Sequence, residues 1–214
     1  MHIPDNNKPA LLHIVRDLRG DVVGQLDSPS APSGLYPDII LQVASHLNDD
    51  NAQSSFQFFD LWELILTHWF PQREGYEVKH LWFIPYLQDR EGADKITFVV
   101  LKDDQSPVVL LQVSAPRDFH NVHTRAAAEA LTASQFEHVA PYCDYDHSLC
   151  AIAAMGKKWS AFQRSPRLTA EEARSLGEEH IEWMDDIVSE PSFEMLECFF
   201  ASLKAGVRAY RLGQ

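Results

Sequence analysis

Two short apolar runs separated by six polar or turn-forming residues constrain the fold of this chain more than any other feature. Residues 96–101 (ITFVVL) and 108–113 (VVLLQV) are rich in Val, Ile and Leu, and residues 102–107 (KDDQSP) lie between them. This pattern is typical of a β-hairpin. Because side chains alternate between faces along a strand, Gln112 and Ser114 are predicted to share one face of the sheet.

Helices and strands are predicted on both sides of the hairpin. Helical spacing, capping signals and terminating prolines predict helices at residues 36–47, 56–70, 126–139 and 192–210, with another starting near residue 169. Compact apolar runs predict strands at residues 76–84, 148–155 and 159–163. The order helix, three-strand meander, helix, strand predicts one α/β domain over residues 34–214, with added helices at both ends. Residues 1–33 contain four prolines and little apolar periodicity, so we expect an extended or partly ordered arm.

Composition narrows the classes of function. The 214 residues are 45% hydrophobic, which suffices for one domain with a substantial core. No apolar run is long enough to span a bilayer, and the N-terminus lacks the basic and apolar regions of a signal peptide. The three cysteines are an odd number without zinc-type spacing, so we expect reduced thiols in the cytoplasm or nucleus. A formal net charge of -13 repels nucleic acid at long range.

Four segments carry a resemblance to a known group of proteins. They are residues 61–71 (LWELILTHWFP), 110–119 (LLQVSAPRDF), 150–162 (CAIAAMGKKWSAF) and 183–204 (WMDDIVSEPSFEMLECFFASLK). The chain resembles uncharacterised basidiomycete proteins with a PD-(D/E)xK nuclease-like core, over about residues 56–204. The resemblance implies a restriction-endonuclease-like α/β fold. In that group the second hairpin strand ends in Glu-x-Lys, where this chain has Gln112 and Ser114.

The resemblance also implies a metal site at the hairpin, and its chemistry is incomplete here. The fold carries Asp, then Glu and Lys two residues apart, and the matching positions are Asp94, Gln112 and Ser114. Two carboxylates bind a hard divalent cation, and the lysine assists the attacking water. The Gln112 amide lacks the negative charge that would attract the cation. Ser114 lacks the positive charge that would stabilise the developing phosphorane. We therefore expect a catalytically degenerate domain that acts as a binding or regulatory module for a protein partner, with no cofactor or weakly bound Mg²⁺ or Mn²⁺.

Glu63 is the residue expected to support a residual cation site. Its spacing from Phe56 and Phe59 places it on an apolar helix face, where a carboxylate needs a partner. Glu63 and Asp94 together predict a weak Mg²⁺ or Mn²⁺ site, and a structural salt bridge or hydrogen bond explains Glu63 equally well. The alternative function is a divalent-metal enzyme, either a nuclease with a site rearranged around Glu63, Asp94 and Gln112 or another reaction in the same cleft.

A basic run at residues 156–167 (GKKWSAFQRSPR) contains four cations, two aromatic residues and no acid. Such a mixture can hold phosphates and stack bases, so Lys157 and Lys158 are candidate phosphate-binding residues. A strand end followed by a solvated turn is the other interpretation. In the metal-enzyme hypothesis, either lysine supplies the cation that Ser114 lacks.

His120 and His123 form a His-x-x-His pair directly after the hairpin. On a turn with a third ligand such as Asp118, Asp146 or His147, the pair predicts a zinc, iron or copper site. The chain has ten histidines, so ordinary loop residues are the simpler interpretation.

An acidic stretch at residues 171–194 contains nine carboxylates and one arginine. It is predicted to form the solvated face of a helix and the loop that follows. An acidic protein-binding surface is the functional alternative.

Overall fold

The structure is a computed structural model that describes residues 35–49, 52–80, 95–103, 106–117, 119–143, 149–168, 171–172 and 179–212. The chain divides into two units after Gly34, and every described residue belongs to the second unit, Leu35–Gln214. The arm predicted for residues 1–33 and the candidate residue Asp94 lie outside the described residues.

The described residues form four α-helices and six β-strands. The helices are α1 (Asp38–Ser45), α2 (Phe59–Trp69), α3 (Val122–Val139) and α4 (Glu190–Leu212). The strands are β1 (Tyr76–His80), β2 (Lys95–Lys102), β3 (Ser106–Ser114), β4 (Leu149–Met155), β5 (Lys158–Arg164) and β6 (Glu179–Met184). Short 3₁₀ helices lie at Ser55–Phe58, Gln72–Glu74 and Ala140–Tyr142. Residues 171–172 are also helical, where a helix is predicted to start.

All six strands form one mixed sheet in the order β1-β2-β3-β4-β5-β6. Neighbouring strands are antiparallel except β3 and β4, which run parallel. The predicted hairpin is confirmed, because β2 and β3 pair antiparallel with Lys102 opposite Ser106. Helix α3 supplies the crossover that a parallel pair requires. The predicted mixed α/β class is therefore confirmed.

Helices cover both faces of the sheet. On one face, α1, α2 and α4 pack against strand side chains such as Phe98, Leu111 and Ile152. On the other face, α3 packs a smaller cluster in which Phe136 contacts residues such as Leu110. Leu110 and Leu111 thus lie on opposite faces, as alternation along a strand requires. This alternation assigns each residue of β3 to a face.

Strand β6 corrects the interpretation of the acidic stretch. The sequence predicts a helix and a loop there, but Glu179–Met184 pairs antiparallel with β5. Ile181 is buried in the core, whereas the side chain of Glu182 is 91% exposed. An edge strand tolerates outward-facing charges, so it lacks the continuous apolar run from which the buried strands are predicted.

An aromatic cluster joins the start of the domain to α2 and α4. The Tyr36 ring lies edge-on to Phe193, with 4.8 Å between centroids, and Trp69 lies 5.1 Å from Phe193. Trp69 Nε1 donates a hydrogen bond to the Tyr36 hydroxyl at 3.2 Å. Burial raises the pKa of Tyr36 to about 12, so this hydroxyl stays protonated at neutral pH.

Candidate functional site

Gln112 and Ser114 lie near the carboxyl end of β3, on the face covered by α3. Gln112 stands between Thr97 of β2 and Ala153 of β4. It is 3% exposed, and its Oε1 has no hydrogen-bond partner among the described residues. Ser114 is half-buried at the strand end, opposite Lys95. The two side chains share the face of the sheet that α3 covers, as predicted, and the Gln112 amide is buried there.

Replacing this amide with an apolar side chain is expected to stabilise the domain. A buried polar atom without a partner costs about 1–3 kcal/mol, so Gln112→Leu should raise the free energy of unfolding by about 1 kcal/mol. Urea denaturation measures the change. Thr132→Val is the matched control, because the buried Thr132 hydroxyl donates to the Ala128 carbonyl at 2.9 Å and its loss should destabilise. If Gln112→Leu destabilises the domain more than Thr132→Val does, the amide has a partner or a ligand.

Glu63 occupies the other side of the sheet. Its helix α2 packs through buried residues such as Leu61 and Trp62 against the face opposite Gln112. The prediction that Glu63 shares an apolar helix face with Phe56 is corrected, because Phe56 belongs to a 3₁₀ helix and is 62% exposed. A 3₁₀ helix turns every three residues, so spacing counted from Phe56 is not that of α2. Glu63 is half-buried beside the buried stripe, and its predicted partner Asp94 lies outside the described residues.

Lys157 lies in the turn from β4 to β5, Lys158 is the first residue of β5, and both lysines at this turn are paired with carboxylates. Lys158 Nζ lies 2.9 Å from Asp49 Oδ2, and Lys157 Nζ lies 3.4 Å from Asp186 Oδ2. The backbone N–H of Lys157 also donates to Asp49 Oδ1 at 3.2 Å. The basic run has no acid in sequence, but the fold brings two carboxylates to it. A phosphate would have to displace them to reach these ammonium groups.

Gly156 joins this turn to the neighbouring elements. Its N–H donates to the Ser114 carbonyl at 3.2 Å, and its own carbonyl accepts from Trp62 Nε1 at 2.9 Å. Its φ is +68°, and a Cβ at this position would lie 2.5 Å from Asp49 Oδ1 and 2.8 Å from Pro116 Cβ. The turn is therefore held against the end of β3, against α2 and against the segment after α1.

An aromatic group flanks the same turn. Lys158 Nζ lies 5.2 Å from the centroid of the Phe119 ring, within cation–π range. Trp183 lies edge-on to Phe119, with 5.4 Å between ring centroids. Arg125 Cζ lies 5.2 Å from the centroid of the Phe119 ring. The sequence indicated the cations of this group, but the role of Asp49 was missed. Asp49 is 108 residues from Lys157 and lies in a polar break that no local pattern distinguishes.

His120 and His123 are both exposed, before and at the start of α3. Their proposed third ligands, Asp118, Asp146 and His147, lie outside the described residues. Within the described part of the chain, no three His, Cys, Asp or Glu side chains come together as a metal-binding group.

The carboxyl end of β3 and β4 thus combines a buried amide, a hydroxyl and two ion-paired lysines.

Among the described helices, none is long and apolar enough to cross a membrane. Comparisons with protein-family models, with curated proteins and with solved structures find no match to this chain.

Proposed function

We propose that this chain is a catalytically degenerate PD-(D/E)xK-like domain that acts by binding a protein partner. The order α2, β1, β2, β3, α3, β4 supports this ancestry, since it is the order of that core, with α1, α4, β5 and β6 as additions. The positions of Gln112 and Ser114 on one face of β3 support it as well. Fold likeness alone does not carry activity, so the function rests on the site.

One observation carries the proposal: both lysines of the β4–β5 turn already have carboxylate partners. A nuclease site needs carboxylates for a cation and a positive charge for the phosphorane. Asp49 is engaged with Lys158, and Asp186 with Lys157. With Gln112 and Ser114 in the hairpin, neither requirement is met by these residues. This chemistry supports a non-catalytic role.

Charge favours a protein with a basic surface as the partner. The chain has 31 acidic and 18 basic residues, which opposes binding of nucleic acid. Exposed carboxylates follow β6 and line the first turns of α4, at Asp185, Glu190, Glu194 and Glu197. Complementary charge speeds association and selects the partner more than it strengthens the final complex.

The competing proposal is a divalent-metal enzyme, and one observation favours it. The Gln112 Oε1 atom has no hydrogen-bond partner among the described residues, so its lone pairs are available to a hard cation. Asp94 would supply the charged ligand in that case, and Lys157 or Lys158 the positive charge. Glu63, the other carboxylate expected from the sequence, would not contact the same cation, because α2 packs on the face of the sheet opposite Gln112.

A cleavage assay separates the two proposals. Wild-type protein is expected to show no Mg²⁺- or Mn²⁺-dependent cleavage of labelled single- or double-stranded DNA or RNA above a buffer control. Gln112 and Ser114 lack the charges that the reaction requires. Cleavage that disappears both with EDTA and in Asp94→Ala would establish the metal enzyme instead.

Protein binding is tested by capture on the immobilised domain from an extract of the cells that produce it. A specific partner should be captured by wild type and lost from Glu190→Lys/Glu194→Lys, which reverses charge on one exposed face of α4. Glu77→Lys on β1, at the opposite edge of the sheet, is the matched control and should retain the partner. Capture that is unaffected by the α4 reversal, or that is abolished by nuclease treatment, contradicts the proposed partner class.

A further inference from the structure

A cavity of about 340 Å³ lies between α3 and strands β4, β5 and β6, apart from the β4–β5 turn. Small side chains create it. Ala126, Ala130 and Ala133 line it from one flank of α3, and Ala153 and Ala161 line it from the sheet. Further along α3, Phe136 and Val139 fill the same interface, and among the described residues the cavity lies beside the alanines. Its volume is in the range of small-molecule sites.

Arg164 lines this cavity from β5, and one of its hydrogen-bond donors has no partner among the described residues. The residue is 6% exposed, and its guanidinium stacks on Phe136 at 4.2 Å from the ring centroid. Its Nη2 donates to Glu137, whose side chain is 54% exposed. Its Nε is buried without a hydrogen-bond partner among the described residues. A guanidinium offers five N–H donors in a planar fork that matches a carboxylate.

Glu129 lines the same cavity from α3 and brings a negative charge. It is half-buried and forms no ion pair with another described residue. The helix wall thus carries a carboxylate, and the sheet wall carries a guanidinium. With Glu137 already beside Arg164, a ligand bearing only negative charge would be repelled by two carboxylates. A ligand bearing one charge of each sign would complement both walls.

The remaining lining is mostly apolar, with Thr132, Ser160 and His180 as its other polar residues. The alanines and the ring of Phe162 surround the space between the two charged walls. Apolar side chains with a few converging polar groups are the usual composition of a small-molecule site. The ligand should therefore combine a carboxylate, an ammonium group and an apolar body.

We propose that this cavity binds an α-amino acid with an apolar side chain. The carboxylate pairs with Arg164, the ammonium group with Glu129, and the side chain packs among the alanines and Phe162. Neither Gln112 nor Ser114 lines this cavity, although Ala153 lies beside Gln112 in the sheet, and no residue of α4 lines it. If the cavity does not bind an amino acid, the proposed function as a protein-binding domain is unaffected.

Isothermal titration calorimetry tests the proposal with three matched probes. L-Phenylalanine carries both charges, 3-phenylpropanoate lacks the ammonium group, and 2-phenylethylamine lacks the carboxylate. L-Phenylalanine is expected to bind at least about tenfold more tightly than either analogue, because each loses one ion pair in a partly buried site. Equal affinity for L-phenylalanine and 3-phenylpropanoate, or no heat from L-phenylalanine up to solubility, overturns the proposal.

Variants locate the binding. Glu129→Gln is expected to weaken L-phenylalanine binding about tenfold while leaving 3-phenylpropanoate unaffected or bound more tightly. Ala133→Leu fills the cavity and should abolish binding. Ala127→Leu, at an exposed position of the same helix that does not line the cavity, is the matched control and should bind as wild type. Circular dichroism checks that each variant is folded. Unchanged binding in Ala133→Leu overturns the assignment.

Discussion

Gly156→Ala is expected to destabilise this domain by about 3 kcal/mol, from an αL penalty of about 1 kcal/mol plus overpacking. The φ of +68° disfavours any residue with a Cβ. That Cβ would also meet the Pro116 ring at 2.8 Å and the ion-paired Asp49 carboxylate at 2.5 Å. The Asp49 carboxylate cannot move without breaking its hydrogen bond to the Lys157 N–H and its ion pair with Lys158. Urea denaturation monitored by tryptophan fluorescence measures the loss.

Gly75→Ala is the matched control for this prediction. Gly75 also has a positive φ, +78°, but its added Cβ would meet the ends of the Lys102 and Asp103 side chains at 2.8 and 2.9 Å. The Asp103 carboxylate is 41% exposed and can rotate away, whereas Lys102 Nζ, which donates to the Glu74 carbonyl, has to shift. The loss should therefore exceed the backbone penalty of about 1 kcal/mol but stay below that of Gly156→Ala. If both variants lose the same stability, the close packing around Gly156 does not contribute and the account of the turn is wrong.

Asp49→Ala should cost about 3 kcal/mol, because breaking one partner of a buried ion pair leaves the other charge uncompensated. The Asp49 side chain is 9% exposed and also accepts a hydrogen bond from the backbone N–H of Lys157. Glu77→Ala is the control, since the Glu77–Lys79 pair is largely exposed and such pairs contribute about 0–1 kcal/mol. The difference is measured by urea denaturation of both variants.

A double-mutant cycle then isolates the ion pair. Lys158→Met removes the cation, and Asp49→Ala in that background should cost less than it does in the wild type. The residual loss reports the hydrogen bond to the Lys157 backbone. Equal costs in the two backgrounds would show that Asp49 and Lys158 do not interact energetically, and the lysine would then be open to a phosphate.

The site residues show where sequence reasoning succeeds. That Gln112 and Ser114 share one face follows from the two-residue repeat of a strand. The structure places both on the α3 face of β3. The burial of Gln112 beneath that face is not visible in the sequence. It depends on α3 crossing over the strand, which is a long-range contact.

Glu63 shows where the same reasoning fails. A helical repeat places a residue on a face only if the helix starts where it is assumed to start. Here the segment begins with a 3₁₀ helix, Ser55–Phe58, and the buried residues of α2 are Leu61, Trp62, Ile65 and Leu66, so Glu63 lies at the edge of the buried stripe and not within it. The type of the element was predicted correctly, but the rotation of its buried face was not.

Local periodicity and turn chemistry determined, from the sequence alone, the hairpin, the helices and the mixed α/β class. These depend on interactions between neighbours in the chain, so a short window of residues contains them. Only the tertiary structure decided that Asp49 neutralises Lys158 and that Arg164 faces a cavity beside the alanines of α3. Those arrangements join residues from distant segments, and electrostatic partners of this kind leave no repeat in the sequence from which their proximity can be predicted.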